Sequence, residues 1–213
     1  FPERDFTDRA VAEYTFAHSA TPENILLVEY LPNPAFNNMT IAQIAATLKR
    51  DPADVLLELS ANADQYRREH GRDGSSIIAK GMHDDDVIRF MQWPYTAICS
   101  DGSHESGHPR GHGAFPRVLG HYVRELGALS LAEAIHKMTG LTAATLRLDG
   151  RGRIEPGAYA DLVLFDAETI SDAATMAEPT RHSHGVRKVW VNGVLAYDDG
   201  QPTLEYPGQI VSL

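Results

Sequence analysis

The side chains able to do chemistry crowd into one short stretch. An apolar run, Tyr95-Thr-Ala-Ile-Cys-Ser-Asp-Gly102, reads as a buried strand that ends at Asp101. Residues 103–117 follow with His104, His108, His112, Arg110 and Arg117. A carboxylate at the carboxyl end of a buried strand, feeding a polar loop, is where (β/α) barrels place reacting groups. There it can hold a metal-bound water and accept its proton during attack on a carbonyl. An Asp in a Ser-Asp-Gly turn can equally do no more than bond backbone amides. The pattern alone leaves both readings open.

His104, His108 and His112 recur every four residues, which on a helix would align them. Gly107, Pro109, Gly111 and Gly113 disfavour a helix there, so the segment reads as a loop, and the spacing carries little metal-site information. In a loop each histidine can meet an ion or a substrate oxyanion, or simply bond the loop to itself. Arg110 and Arg117 could pair with a substrate carboxylate, which suits a guanidinium fork. Arg117, at the start of the next helix, fits a surface or strand-pairing role better.

Other candidates are weaker. His182-Ser183-His184 has the spacing that places two metal ligands on one side of a strand, but it lies in the polar stretch 178–185 and reads as a decoy. His18, His70, His83, His121 and His136 sit in polar, helix-like surroundings, which fits solvated or packed rings. Cys99 sits inside the expected strand and reads as a core residue. No nucleophile elbow, phosphate-binding loop or dinucleotide fingerprint is found in the sequence.

The elements that must position these groups follow from periodicity. Ile25–Tyr30 is a β-rich run bounded by prolines. Thr40 and Gln43 form a capping box for a helix with Ile41, Ile44, Ala45 and Leu48 on one face. Asp51-Pro52 opens a second helix, with Val55, Leu56, Leu59 and Ala63 as its apolar face. Ser75–Ala79 reads as a strand, 84–91 as a helix stopped by Pro94, and 95–101 as a strand. Residues 75–101 are therefore expected to make a βαβ unit. Phe115–Leu126 reads as a helix, and Ser130 with Glu133 as a capping box for another. Near residue 148 the texture turns to β: Ala160–Phe165 as a strand, then Val186–Tyr197 as a hairpin around Asn192-Gly193.

Length and composition set bounds. The 213 residues fall short of the roughly 250 typical of a complete (β/α)8 barrel. A net charge of -10 argues against nucleic acid or an anionic membrane as partner. No apolar run is long enough for a transmembrane helix. The single cysteine excludes an internal disulfide and fits a cytoplasmic setting. Phe1 is no initiator Met, which suggests a chain cut from something longer.

Three segments carry a family resemblance: Ile98-Cys-Ser-Asp-Gly102, His108-Pro-Arg-Gly-His-Gly-Ala-Phe-Pro-Arg-Val-Leu-Gly120 and Leu129-Ser-Leu-Ala-Glu-Ala-Ile-His-Lys-Met138. They resemble the amidohydrolase superfamily and, more narrowly, the N-acyl-D-amino-acid deacylases, or D-aminoacylases. The tail agrees, through Gly152–Asp166 and the Val-Asn-Gly at Val191–Gly193. The resemblance implies an α/β fold: the C-terminal part of a zinc-binding (β/α)8 hydrolase barrel over 1–148, with a lid-like insertion near 21–74, and a small β-sandwich-type segment over 149–213. It implies hydrolysis of the amide of N-acylated D-amino acids. Asp101 would be the general base and would touch the metal, and the loop with His104, His108, Arg110 and His112 would meet the substrate.

The family's H-x-H and its middle-strand Cys and His ligands have no match before residue 75. The expectation is therefore a C-terminal part, inactive alone, whose zinc is held mainly by residues outside this chain. The expected partner is a small N-acylated amino acid, with self-association through strand edges in 75–101. Two rival readings stand beside it. One is an amidohydrolase opening cyclic amides, dihydroorotase- or hydantoinase-like; the other is a non-catalytic binding module.

Overall fold

The computed structural model describes residues 8–102, 108–176 and 178–211. The chain divides into two compact units, one ending at Met82 and the other starting at His83. Both mix helices with antiparallel sheet.

The first unit opens with α1 (Arg9–His18), capped by Asp8, whose side chain accepts from the Ala10 amide. Strands β1 (Ile25–Tyr30) and β2 (Met39–Thr40) follow, then α2 (Ile41–Leu48), α3 (Pro52–His70) and β3 (Ser75–Ala79). The capping box of α2 forms as its sequence dictates: the Gln43 amide donates to Thr40 Oγ1 at 3.2 Å, and the Thr40 amide donates to Gln43 Oε1 at 2.8 Å. Asp51 caps α3, and Gly71, at φ 70°, ends it in the left-handed region that costs glycine little. Ile25, Leu27, Tyr30, Ile41, Ile44, Val55 and Leu59 form the core of this unit. Burial of each such side chain contributes about 1.5–3 kcal/mol before entropy is set against it.

β3 does not take the place expected for it. It pairs antiparallel with β1, Leu26 opposite Ile78, in a sheet of order β2-β1-β3. The expected βαβ unit over 75–101 is thus replaced by an antiparallel sheet inside the first unit. The apolar run was read correctly as a strand; its partner lies fifty residues upstream, at a range local pattern does not reach.

The second unit begins with α4 (Asp84–Gln92), three aspartates in its first turn. Residues 95–102 then run without helix or ladder, which corrects the strand expected over 95–101. A strand is defined by neighbours, and here, among the described residues, the main-chain bonds to the segment are a local turn, Thr96 N–H to Trp93 O, and one distant contact, Ile98 N–H to Lys137 O, both 3.1 Å. After this come α5 (Arg110–Arg117) and a π-helical stretch, Val118–Glu125. Then follow α6 (Leu131–Met138) and α7 (Gly140–Thr145). α5 corrects a second expectation, because Gly111, His112 and Gly113 are helical despite their low propensity.

The chain ends in a four-stranded antiparallel sheet, β4 (Leu162–Phe165), β5 (Val186–Val191), β6 (Val194–Asp198) and β7 (Gln201–Pro202), in that order. Among the described residues it is one sheet, not two facing ones. The predicted hairpin is present: Val191 pairs with Val194 across Asn192 and Gly193, at φ 48° and 82°. Val118, Leu119, Leu129, Ala134 and Ile170 form this unit's core, with Phe165 and Val186 packed against it. The change of texture near residue 148 is therefore a change of secondary structure within one packed unit.

Candidate active site

Asp101 sits where 95–102 turns toward α5, at φ 46°, a left-handed backbone that Asp tolerates better than most residues. What fixes it is Arg110, at the first position of α5. Arg110 Nε donates to the Asp101 carbonyl at 2.8 Å, and Arg110 Nη2 lies 2.8 Å from Asp101 Oδ2. Gly102 makes this approach feasible, because a Cβ there would lie 2.3 Å from the Gly111 Cα. The local turn adds the Gly102 amide donating to Ser100 Oγ at 3.3 Å. The carboxylate itself stays largely exposed, at 76%.

Behind this pair lies a cavity of 430 Å³. Cys99, His108, Arg110, Arg117, Tyr122 and Asp172 bring the polar groups to its wall, and Met91, Ile98, Val118 and Met176 the apolar ones. His108 Nδ1 accepts from the Arg110 amide at 3.1 Å, which places the ring proton on Nε2 when the ring is neutral. Its pKa is lowered, first by burial and then by the Arg110 charge, with Asp101 opposing. Burial also raises the Tyr122 hydroxyl pKa, aided by Asp84, so it remains a proton donor at neutral pH. Arg117 lies 3.4 Å from Asp172 Oδ2 and over the Tyr122 ring.

The structure thus brings three of the predicted residues together, Asp101, His108 and Arg110; the last two line the cavity, and exposed Cys99 joins them on its wall. His112 goes elsewhere. It lines a second cavity of 320 Å³ with His182, Pro116, Val186, Val189 and Tyr197. The two imidazoles lie parallel, 6.3 Å between centroids. The cause is local: Pro116 has no N–H for the His112 carbonyl four residues back, and Ser183 Oγ donates to that carbonyl at 2.9 Å. His182, passed over as a decoy, is drawn in beside Ser183. His104 lies outside the described residues.

Among the described residues no group of three or more His, Cys, Asp or Glu side chains is placed to hold a metal ion. A catalytic zinc takes three protein ligands as a rule, so these residues do not by themselves fit one. Asp101 contributes one carboxylate, already turned toward Arg110. None of the helices is long and apolar enough to cross a membrane among these residues.

Comparison with known proteins decides the family. Residues 97–197 match the model described as the amidohydrolase family. The chain belongs to the amidohydrolases. It is 37% identical over 183 residues to the D-aminoacylase of Alcaligenes xylosoxydans xylosoxydans, which covers 85% of this chain and 35% of that one. A solved D-aminoacylase with a binuclear metal centre superposes with a TM-score of 0.74 at 39% identity, covering 85% of this chain and 36% of that one. The zinc-containing N-acyl-D-glutamate deacylase of Bordetella bronchiseptica superposes with a TM-score of 0.77 at 33% identity, covering 95% and 39%. The amidohydrolase chain thus spans about a third of the length of the relatives it matches.

Proposed function

We propose that the protein carrying this chain hydrolyses the amide bond of N-acyl-D-amino acids, and that this chain supplies the C-terminal part of its (β/α)8 barrel. The observation that carries the reading is the Asp101–Arg110 pair, of which Arg110 also lines the 430 Å³ cavity. A carboxylate and a guanidinium fork, side by side, suit a substrate with a scissile amide and a free carboxylate. The deacylase relatives support the substrate class.

In this reading Arg110 receives the substrate carboxylate. That contact draws the guanidinium from Asp101 Oδ2 and frees the base when substrate is present. Asp101 then takes the proton of the attacking water and passes it to the leaving nitrogen. Neutral His108 donates through Nε2 to the substrate. Zinc belongs to the proposal as a metal held mainly by residues outside this chain, Asp101 being the contribution from within it. Self-association through the open edge of β3, where Ile77 is half exposed, and a cytoplasmic location complete it.

The test is a substrate panel on the full-length protein: N-acetyl-D-amino acids, N-acetyl-L-amino acids and hydantoins. Release of free D-amino acid alone is the expected outcome. Hydantoin opening without deacylation would move the assignment to a cyclic amidase, and no turnover of any of them would remove it.

A further inference from the structure

Lys137 is the single charged residue among the buried positions described, at 6% exposure. It lies in the last turn of α6, where a cation suits the helix dipole. Its ammonium does not face the cavity. Lys137 Nζ donates to the Trp93 carbonyl at 2.5 Å and reaches the Thr96 carbonyl at 3.4 Å. Its own carbonyl accepts from the Ile98 amide at 3.1 Å.

These three bonds act on a segment that has no strand partner. Residues 93–98 lead through Cys99 and Ser100 to Asp101, and no ladder fixes them. Carbonyls left unpaired on burial are costly, about 1–3 kcal/mol each. Lys137 supplies to Trp93 and Thr96 what a neighbouring strand's amides would supply. At the far end Arg110 grips Asp101, so the segment is held at both ends.

We propose that Lys137 is a positioning residue for Asp101, setting the height of 93–98 against α6 and so the place of the carboxylate beside Arg110. This rests on the reading of Asp101 as the base. Cys99 provides a readout independent of that reading, because it is exposed and lies on the same segment.

The experiment compares Lys137→Met and Lys137→Arg in the full-length protein, with Ala134→Gly as a destabilised control on the same helix. Alkylation of Cys99, followed by peptide mass spectrometry, is expected to run about ten-fold faster in Lys137→Met, as the loss of a charged donor allows. Lys137→Arg should return the rate toward the parent's, and Ala134→Gly should leave it unchanged. In turnover of an N-acetyl-D-amino acid, Lys137→Met should lose about ten- to hundred-fold in kcat with KM little changed, as a misplaced base would. Parental Cys99 labelling in Lys137→Met, or equal effects in Ala134→Gly, overturns the proposal. Lys137→Met with faster labelling but parental kcat overturns it too. Asp101→Asn with parental kcat would instead remove the base reading, and the labelling would still judge the anchor.

Discussion

The guanidinium of Arg110 holds Asp101 twice, by its backbone carbonyl and by its carboxylate, both at 2.8 Å. The first contact fixes the turn and the second is free to exchange. Arg110 is 45% exposed and Asp101 76%, and pairs this open contribute about 0–1 kcal/mol to stability. The arrangement orders the carboxylate beside Arg110, which lines the cavity, and adds little to the fold.

Removal of the charge on Asp101 should therefore separate activity from stability. Asp101→Asn in the full-length protein is expected to lower kcat by about 10²–10⁴-fold, the usual contribution of general base catalysis. Its Tm should match the parent's. Arg110→Ala should instead act mainly on KM, through the substrate carboxylate. Steady-state kinetics beside thermal melts check both, and an active Asp101→Asn refutes the assignment.

His108 links the site to pH. Its folded pKa lies below the ordinary value, so between the two the unfolded chain binds more protons. The stability it contributes is present above about pH 6.5, the unfolded value, and is lost as pH falls through the folded one. Arg110→Ala removes a cation that depresses this pKa and should raise it, while Asp101→Asn should lower it further. NMR titration of the ring reads both shifts; opposite signs would show that Arg110 and Asp101 do not act on His108 as the geometry states.

Local signals in the sequence were read well and long-range ones were not. The capping boxes at Thr40 and Ser130 and the turn at Asn192-Gly193 depend on residues within four positions of each other, and all are present. The pairing of β3 with β1 is set by packing across fifty residues, so Ser75–Ala79 looked equally suited to a parallel unit. The same holds at the site. Asp101, His108 and Arg110 stand within ten residues and were found together. His182 joins His112 only because Pro116 leaves a carbonyl open, a consequence of α5 that the glycines concealed. Lys137 did leave a trace, since it falls three residues after Ala134 on a buried helix face.

Gly102 tests how tightly the turn must close. A methyl there meets Gly111 backbone, which cannot swing aside as a side chain does. Gly102→Ala is expected to cost about 1–3 kcal/mol, in the range of overpacking. It should also part Asp101 from Arg110 and lower kcat together with Tm. Gly111→Ala as well would only worsen the contact. Chemical denaturation and kinetics on Gly102→Ala suffice, and parental values for both would show that the turn has room to spare.

The link between Pro116 and Ser183 makes a sharper demand, because it predicts a coupling and not only a loss. With Pro116 in place, Ser183→Ala leaves the half-buried His112 carbonyl unpaired, at a cost of about 1 kcal/mol. Pro116→Ala supplies an amide four residues on, where a regular helical bond to the same carbonyl can form. In that background Ser183→Ala should cost close to nothing. Urea denaturation of the four proteins in the cycle measures the difference, and additive losses would mean that Ser183 stands beside His112 for some reason other than the proline.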